Sequence, residues 1–280
     1  MKNFTKISLT KVRAFWDKQP CNIKHSSLEI GTREYFNEVE KRKYFVEPHI
    51  PRFAQFDLWR GKNVLEIGCG IGTDTINFAK IGAQITAIDI SSRSVSIAKK
   101  RAKIFKLKNN IKFFVHDAEK LSKFLSTETY DLIYSFGVIH HTPNPERLIQ
   151  QFVYLSHEGT ILKIMVYNHY SWRVIQIILS SGLKIFHGLK YLIAENSEAQ
   201  TGCPITYTFS KRKIRKLLEQ NGFFIKQISI NHIFPYNISR YQNYEYQKVW
   251  YFWWMPNSIF RILEKLIGWH ICITAERRKL

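Results

Sequence analysis

From Lys62 onward, short apolar runs alternate with longer stretches in which apolar residues recur at steps of three and four. The runs are Asn63 to Ile67, Gln84 to Asp89, Ile111 to Val115, Tyr130 to Ser135 and Thr160 to Val166. That alternation predicts βαβ units in a parallel sheet. Between the second and third runs, Val95, Ala98, Ala102 and Phe105 share one helical face, and Ser91 and Ser92 supply N-cap hydroxyls, so an amphipathic helix leans on the sheet there. After Val166 the alternation stops. It resumes with a helix from Ser210 to Gln220, a strand from Phe223 to Ile230 and a last apolar run from Trp269 to Ala275. Residues 1–60 read as helical and polar, with Pro48 and Pro51 ending a charged stretch from Thr32 to Val46. The pattern therefore predicts an α/β protein of seven strands, with a helical N-terminal cap (1–60) and a main domain (61–280) carrying insertions at about 171–209 and 232–267.

Composition narrows the class. With 45% hydrophobic and 23% charged residues, the chain buries a full core and is neither disordered nor fibrous. Lys and Arg number 42 against 22 Asp and Glu, a surplus that favours contact with polyanions, anionic lipid or acidic small molecules. The four cysteines, Cys21, Cys69, Cys203 and Cys272, show no paired spacing, so a disulfide scaffold and a zinc ribbon are both excluded and a reducing cytosol is expected. The basic N-terminus is not followed by an uninterrupted apolar run, which argues against a secretory signal. The longest apolar stretch, Val174 to Ile193, is broken by Lys184, His187 and Lys190, too often for a membrane-spanning helix.

The most informative segment runs Val64-Leu65-Glu66-Ile67-Gly68-Cys69-Gly70-Ile71-Gly72-Thr73-Asp74. A buried strand enters glycines at alternate positions and then a helix, so backbone amides converge where no Cβ blocks an anionic or polar ligand. A dinucleotide fingerprint requires Gly or Ala three residues after its second glycine. That place is Thr73 or Thr75, according to register, and neither fits.

These residues resemble the class I S-adenosylmethionine-dependent methyltransferases, including the quinone C-methyltransferases and natural-product methyltransferases. The resemblance has four parts in order: Glu66 to Gly72; Asp89-Ile90-Ser91 at the end of the second strand; His116-Asp117-Ala118 after the third; and Tyr130 to Pro143, including Ser135, His140 and His141. It implies a Rossmann-like sheet, mostly parallel with the last strand antiparallel, and S-adenosyl-L-methionine as cofactor. By the same resemblance, Gly68, Gly70 and Gly72 admit the donor's carboxylate and Glu66 orients its amino group. Asp89, with Ile90, holds the ribose hydroxyls, Asp117 and Ala118 read adenine, and Ser135 lies beneath the methyl donor. The reaction implied is in-line methyl transfer to a small acceptor, in which the protein mainly aligns the reactants and excludes water.

A base matters only where the acceptor carries a proton to lose. His141 and His140, past the fourth strand, and His169, past the fifth, are the candidate catalytic residues, and Tyr167 and Asn168 are the candidate substrate contacts. Oxygen, nitrogen and carbon acceptors all stay open. No metal site is expected, because the adjacent histidines do not converge on one ion and no carboxylate stands at a helical offset from them. Trp16, Tyr35 and Tyr44 either close over the cofactor or pack in the core.

The insertions bear on the acceptor. Gln176, Ser180, Lys184 and His187 form a polar stripe on a helix expected from Trp172 to Ile193, either a lid over the cleft or an interfacial helix. Val249 to Pro256 contains Trp250, Tyr251, Phe252, Trp253 and Trp254. It reads as a pocket wall, a membrane-surface anchor or a site for a hydrophobic acceptor. The helix from Ser258 to Ile267 is expected to pack on the fold. Basic residues, Lys99-Lys100-Arg101 among them, are dispersed, so a solvated surface is expected rather than a specific nucleic-acid site. The alternative class is an RNA- or membrane-associated protein with this fold and weak or no catalysis.

Overall fold

The computed structural model describes residues 4, 7–125, 129–182, 188–197 and 202–278. Seven strands form one sheet: β1 (Asn63–Ile67), β2 (Gln84–Asp89), β3 (Ile111–Val115), β4 (Tyr130–Phe136), β5 (Ser156–Tyr167), β6 (Phe223–Asn231) and β7 (His270–Arg277). Their order is β3-β2-β1-β4-β5-β7-β6. Only β7 runs against its neighbours, pairing antiparallel with β5 and with β6. Helices α1 (Leu9–Lys18), α2 (Arg33–Val46) and α3 (His49–Ala54) precede the sheet. Next come α4 (Thr73–Lys80), α5 (Ser92–Ile104), α6 (Leu121–Phe124) and α7 (Pro145–Tyr154), which link the parallel strands. Between β5 and β6 lie α8 (Trp172–Ser181), α9 (Leu189–Glu195) and α10 (Lys211–Gln220); between β6 and β7 lie α11 (Ile238–Gln242), α12 (Trp250–Trp253) and α13 (Asn257–Ile267).

The two-residue period of the strands divides the core into two layers. Leu65 and Ile67 of β1 pack with Leu148, Ile149 and Phe152 of α7 and with Ile214 and Leu218 of α10. Val64, one position away, joins Ile76 and Phe78 of α4 and Val95 and Ala102 of α5 on the opposite face. Glu66 has the parity of Val64 and so points toward α4, where it accepts a hydrogen bond from the Thr75 hydroxyl.

The N-terminal helices pack against this frame. Tyr35, Phe36 and Val39 of α2 share a buried cluster with Ile71, and Ile97 and Ile104 of α5 pack against it. Arg101 is fully buried, donating to Thr73 Oγ1 at 2.7 Å and to Glu40 Oε2 at 2.9 Å. The solvated surface expected of Lys99-Lys100-Arg101 therefore excludes Arg101, which α2 covers. The end of α1 is tied to the tip of β2: Asp17 Oδ1 accepts from Ser91 Oγ at 2.8 Å and from the Arg93 amide at 3.1 Å.

The single helix expected from Trp172 to Ile193 is two helices. The Ser180 and Ser181 hydroxyls donate back to the Ile177 carbonyl, which competes with the helical ladder. Gly182 and Gly188 then take φ of +50° and +99°, conformations an α-helix cannot continue through. Lys184 and His187 of the expected polar stripe lie outside the described residues. The aromatic segment does not line the cleft: Trp250, Trp253 and Trp254 are 75%, 66% and 75% exposed. On α13, Ile259, Ile262 and Leu266 are also exposed, while Phe260 meets Phe252 edge to face.

Candidate functional site

The chain runs outward from β1 through β2 to β3 and then returns to β4 on β1's other side. The carboxyl ends of β1 and β4 therefore diverge into a crevice, the place where open α/β sheets take ligands. The glycine turn occupies this point, and its three glycines have different surroundings. All three have positive φ, +79°, +51° and +78° for Gly68, Gly70 and Gly72. A Cβ on Gly68 would stand 2.0 Å from Val138 Cγ2, whereas one on Gly70 would meet nothing within 4 Å. Gly72 does not line the cavity: a Cβ there would stand 3.0 Å from Ala98 Cβ and 3.3 Å from Ala98 Cα. Its structural part is the close approach of α4 to α5, in place of the cofactor contact expected of it.

Carboxylates ring the turn. Asp89 is fixed by two backbone amides, accepting from Gly70 N and from Ser91 N, each at 2.8 Å. Burial pushes its pKa up, and those two hydrogen bonds pull it back. Glu66 is pushed up to about 8, first by burial and then by the charge of Asp74, with the Thr75 hydrogen bond opposing. Asp74, which the sequence reading did not single out, accepts from Lys43 Nζ at 2.7 Å, Tyr44 Oη at 2.9 Å and Tyr134 Oη at 2.9 Å. Its place just after the glycine turn is the signal that marks it. Ile90, Asp117 and Ala118 line the same cavity, and Asp117 also caps the following turn through the Glu119 amide at 3.0 Å.

The far side of the cavity comes from β4, β5 and β7. Tyr134 and Phe136 face the cavity, so strand alternation turns Ser135 to the opposite layer. Its hydroxyl is fully buried without a hydrogen-bond partner among the described residues, facing away from the cavity where the cofactor contact was expected. His141 lines the cavity, with Trp16 of α1 edge-on to its ring at 5.4 Å. His141 Nδ1 lies 2.7 Å from the Ile205 carbonyl oxygen. A carbonyl only accepts, so Nδ1 carries the hydrogen and the lone pair of the neutral ring lies on Nε2.

The other expected residues divide. His140 is fully buried behind Tyr167, ring centroids 3.7 Å apart, and neither of its nitrogens has a hydrogen-bond partner. Burial first, then His141, holds its pKa well below the ordinary value. Tyr167 lines the cavity. Asn168 does not; its side chain holds the Tyr170 and Gly268 carbonyls and the Tyr170 amide. His169, also away from the cavity, lies 3.0 Å from Thr208 Oγ1. Tyr35 is wholly buried and Tyr44 holds Asp74, so of the three aromatic residues considered in the cap only Trp16 lines the cavity.

At the end of the cavity beside Phe136 and Met165, Glu47 and His270 complete the lining. Behind them lie His49 and His232, so that Glu47, His232 and His270 bring ligand atoms within 4.8 Å of one another. The sequence reading considered only the adjacent pair His140 and His141 for metal binding and missed this group.

A Rossmann-like sheet with a glycine turn and an acid-tipped second strand at its switch point defines an α/β protein built to hold a polar, nucleoside-sized ligand. A family model described as a methyltransferase domain matches residues 39–228, and the chain belongs to that family. Over 130 residues it is 34% identical to the ubiquinone biosynthesis O-methyltransferase of Coxiella burnetii, covering 45% of this chain and 54% of the relative. Over 109 residues it is 32% identical to the norajmaline N-methyltransferase of Rauvolfia serpentina, covering 39% of this chain and 37% of that one. The chain thus spans about half or less of the length of these curated relatives. Among solved structures, magnesium protoporphyrin IX methyltransferase from Synechocystis PCC 6803 with bound SAH superposes with a TM-score of 0.60 at 17% identity, covering 96% of this chain and all of that one. The [4+2]-cyclase SpnF superposes with a TM-score of 0.58 at 16% identity, covering 95% of each chain. Likeness at that level establishes the fold alone, and the cyclase illustrates how far chemistry varies on it.

Proposed function

We propose that this chain methylates a hydroxyl group of a small, largely apolar acceptor with S-adenosylmethionine as donor. The donor supplies a methyl group already activated by a sulfonium charge. The turn fits it: Gly70 leaves its ligand side open, and the start of α4 offers amides to a carboxylate. In this reading Glu66 orients the donor's amino group, Asp89 holds the ribose, and Asp117 and Ala118 hold the adenine. Phe136, Met165 and Tyr167 give the acceptor end its apolar character.

The observation that carries the reading is the tautomer of His141. With Nδ1 committed to the Ile205 carbonyl at 2.7 Å, Nε2 is the basic atom, and it takes the hydroxyl proton as the acceptor oxygen gains the methyl group. The acceptor emerges as a methyl ether and the donor as an uncharged thioether. Calorimetry with S-adenosylmethionine tests the donor: micromolar binding abolished by Asp89→Ala is expected, and absence of binding refutes it. Turnover of a panel of catechols and alkylphenols, read as thioether product, tests the base. His141→Ala should keep donor affinity and lose about 100-fold or more in rate; an unchanged rate rejects the role.

We also propose that the enzyme works at a membrane surface. Among the described residues no helix is long and apolar enough to cross a bilayer. The exposed Trp250, Trp253 and Trp254, next to the exposed Ile259, Ile262 and Leu266 and flanked by Lys248 and Lys265, suit the interface of an anionic bilayer. The full chain should co-sediment with vesicles containing anionic lipid, and Trp250→Ser/Trp253→Ser should release it. A wild-type chain that stays in the supernatant overturns this.

A further inference from the structure

Four side chains converge beside the acceptor end of the cavity from segments far apart in the sequence. Glu47 closes α2, His49 opens α3, His232 follows β6 and His270 opens β7. The β7 register sets His270 between Tyr167 of β5 and Asn231 of β6, which brings the neighbouring His232 alongside. The three imidazoles are 3–8% exposed. His49 Nε2 lies 3.1 Å from His270 Nδ1, and Glu47 Oε1 lies 3.7 Å from the same nitrogen. The His232 and His270 rings stack with centroids 4.5 Å apart.

We propose that Glu47, His232 and His270 bind a first-row divalent cation, with Zn2+ the best match to the donor set, and that His49 stands behind them as a partner of His270. Two imidazole nitrogens and one carboxylate are ligands that this class of ion selects, and they leave a fourth position open. His49 Nε2, 3.1 Å from His270 Nδ1, is at hydrogen-bond distance from it and orients that ring. The Glu47, His232 and His270 atoms lie within 4.8 Å of one another and close on such an ion when their separations shorten to about 3.0 to 3.4 Å.

Because Glu47 and His270 line the cavity while His49 and His232 lie behind them, the ion's open side faces the acceptor. It suits an acceptor that carries a further oxygen donor, such as a carbonyl or a carboxylate. This last step rests on the methyl-transfer reading; the binding of the cation itself does not.

The test is metal titration of the full chain, freed of any histidine tag and stripped with chelator, using Zn2+ by calorimetry and Co2+ by visible absorption. One ion per chain is expected, with Co2+ giving ligand-field bands. His232→Ala and His270→Gln should each weaken binding at least 100-fold. Asp89→Ala, which removes donor binding in the proposed reaction, should leave the metal affinity unchanged, so the two readings fail separately. Circular dichroism of each variant establishes that it is folded, and Glu47→Gln supplies a third probe if one variant does not fold. No binding to the folded wild-type chain, or binding that persists in all the histidine variants, overturns the site.

Discussion

Replacing Gly72 with alanine puts a Cβ 3.0 Å from Ala98 Cβ and 3.3 Å from Ala98 Cα. The second of these is backbone of α5, held by the helix, so it cannot swing aside as a side chain would. The residue also keeps φ near +78°. The left-handed backbone costs about 1 to 2 kcal/mol for a residue with a Cβ, and the overpacking about 1 to 3 more, so a loss of about 2 to 5 kcal/mol is expected. Alanine at Gly70 has φ of +51° but no atom within 4 Å, so only the backbone cost of about 1 to 2 kcal/mol applies. Its methyl group instead enters the space assigned to the donor. Urea unfolding paired with donor calorimetry separates the two. Gly72→Ala should lose more stability and keep most of its donor affinity, lowering Tm by about 3 to 9 °C. Gly70→Ala should stay nearer wild-type stability and lose donor affinity by about tenfold or more. If Gly72→Ala is as stable as wild type, or Gly70→Ala binds donor normally, the division of labour within the turn is wrong.

Two further perturbations probe the carboxylates. Lys43→Met leaves the buried Asp74 without its ion-pair partner at 2.7 Å, a loss of about 3 to 5 kcal/mol; adding Asp74→Asn should recover part of it in urea unfolding, and strictly additive losses would contradict the coupling. For Glu66, the folded pKa is raised from 4.5 to about 8, so the folded chain holds this proton more tightly than the unfolded one. Its contribution to stability is therefore full below about 4.5 and is lost as pH rises through about 8. Measured without ligand, Glu66→Gln should gain stability relative to wild type across that window, and a difference that does not vary with pH would refute it.

Legibility followed the range of the signal. The bounds of β1, β2 and β3 match the sequence reading residue for residue, because hydrophobic runs and helix caps are properties of a few neighbouring residues. The positions of Asp89, Asp117 and Ala118 were legible for the same reason, each standing where a strand ends. Ser135 shows where this stops: its place within the fourth strand was legible, but the side it faces follows from the parity shared by Tyr134 and Phe136. The long helix was misjudged because apolar periodicity persists across Gly182, whose positive φ breaks it.

By itself the sequence determined the strand order of events: a run, a glycine turn, an acid at the next strand's tip, and histidines past the fourth. These are short-range arrangements that survive without knowledge of what packs against them. Tertiary structure alone decided that Gly72 serves helix packing, that Arg101 is buried and that Trp250, Trp253 and Trp254 are exposed. It also decided that Glu47, His49, His232 and His270 meet, although His49 and His270 stand 221 positions apart in the chain. Such meetings are set by sheet order and register, which depend on every strand at once, and no local spacing encodes them.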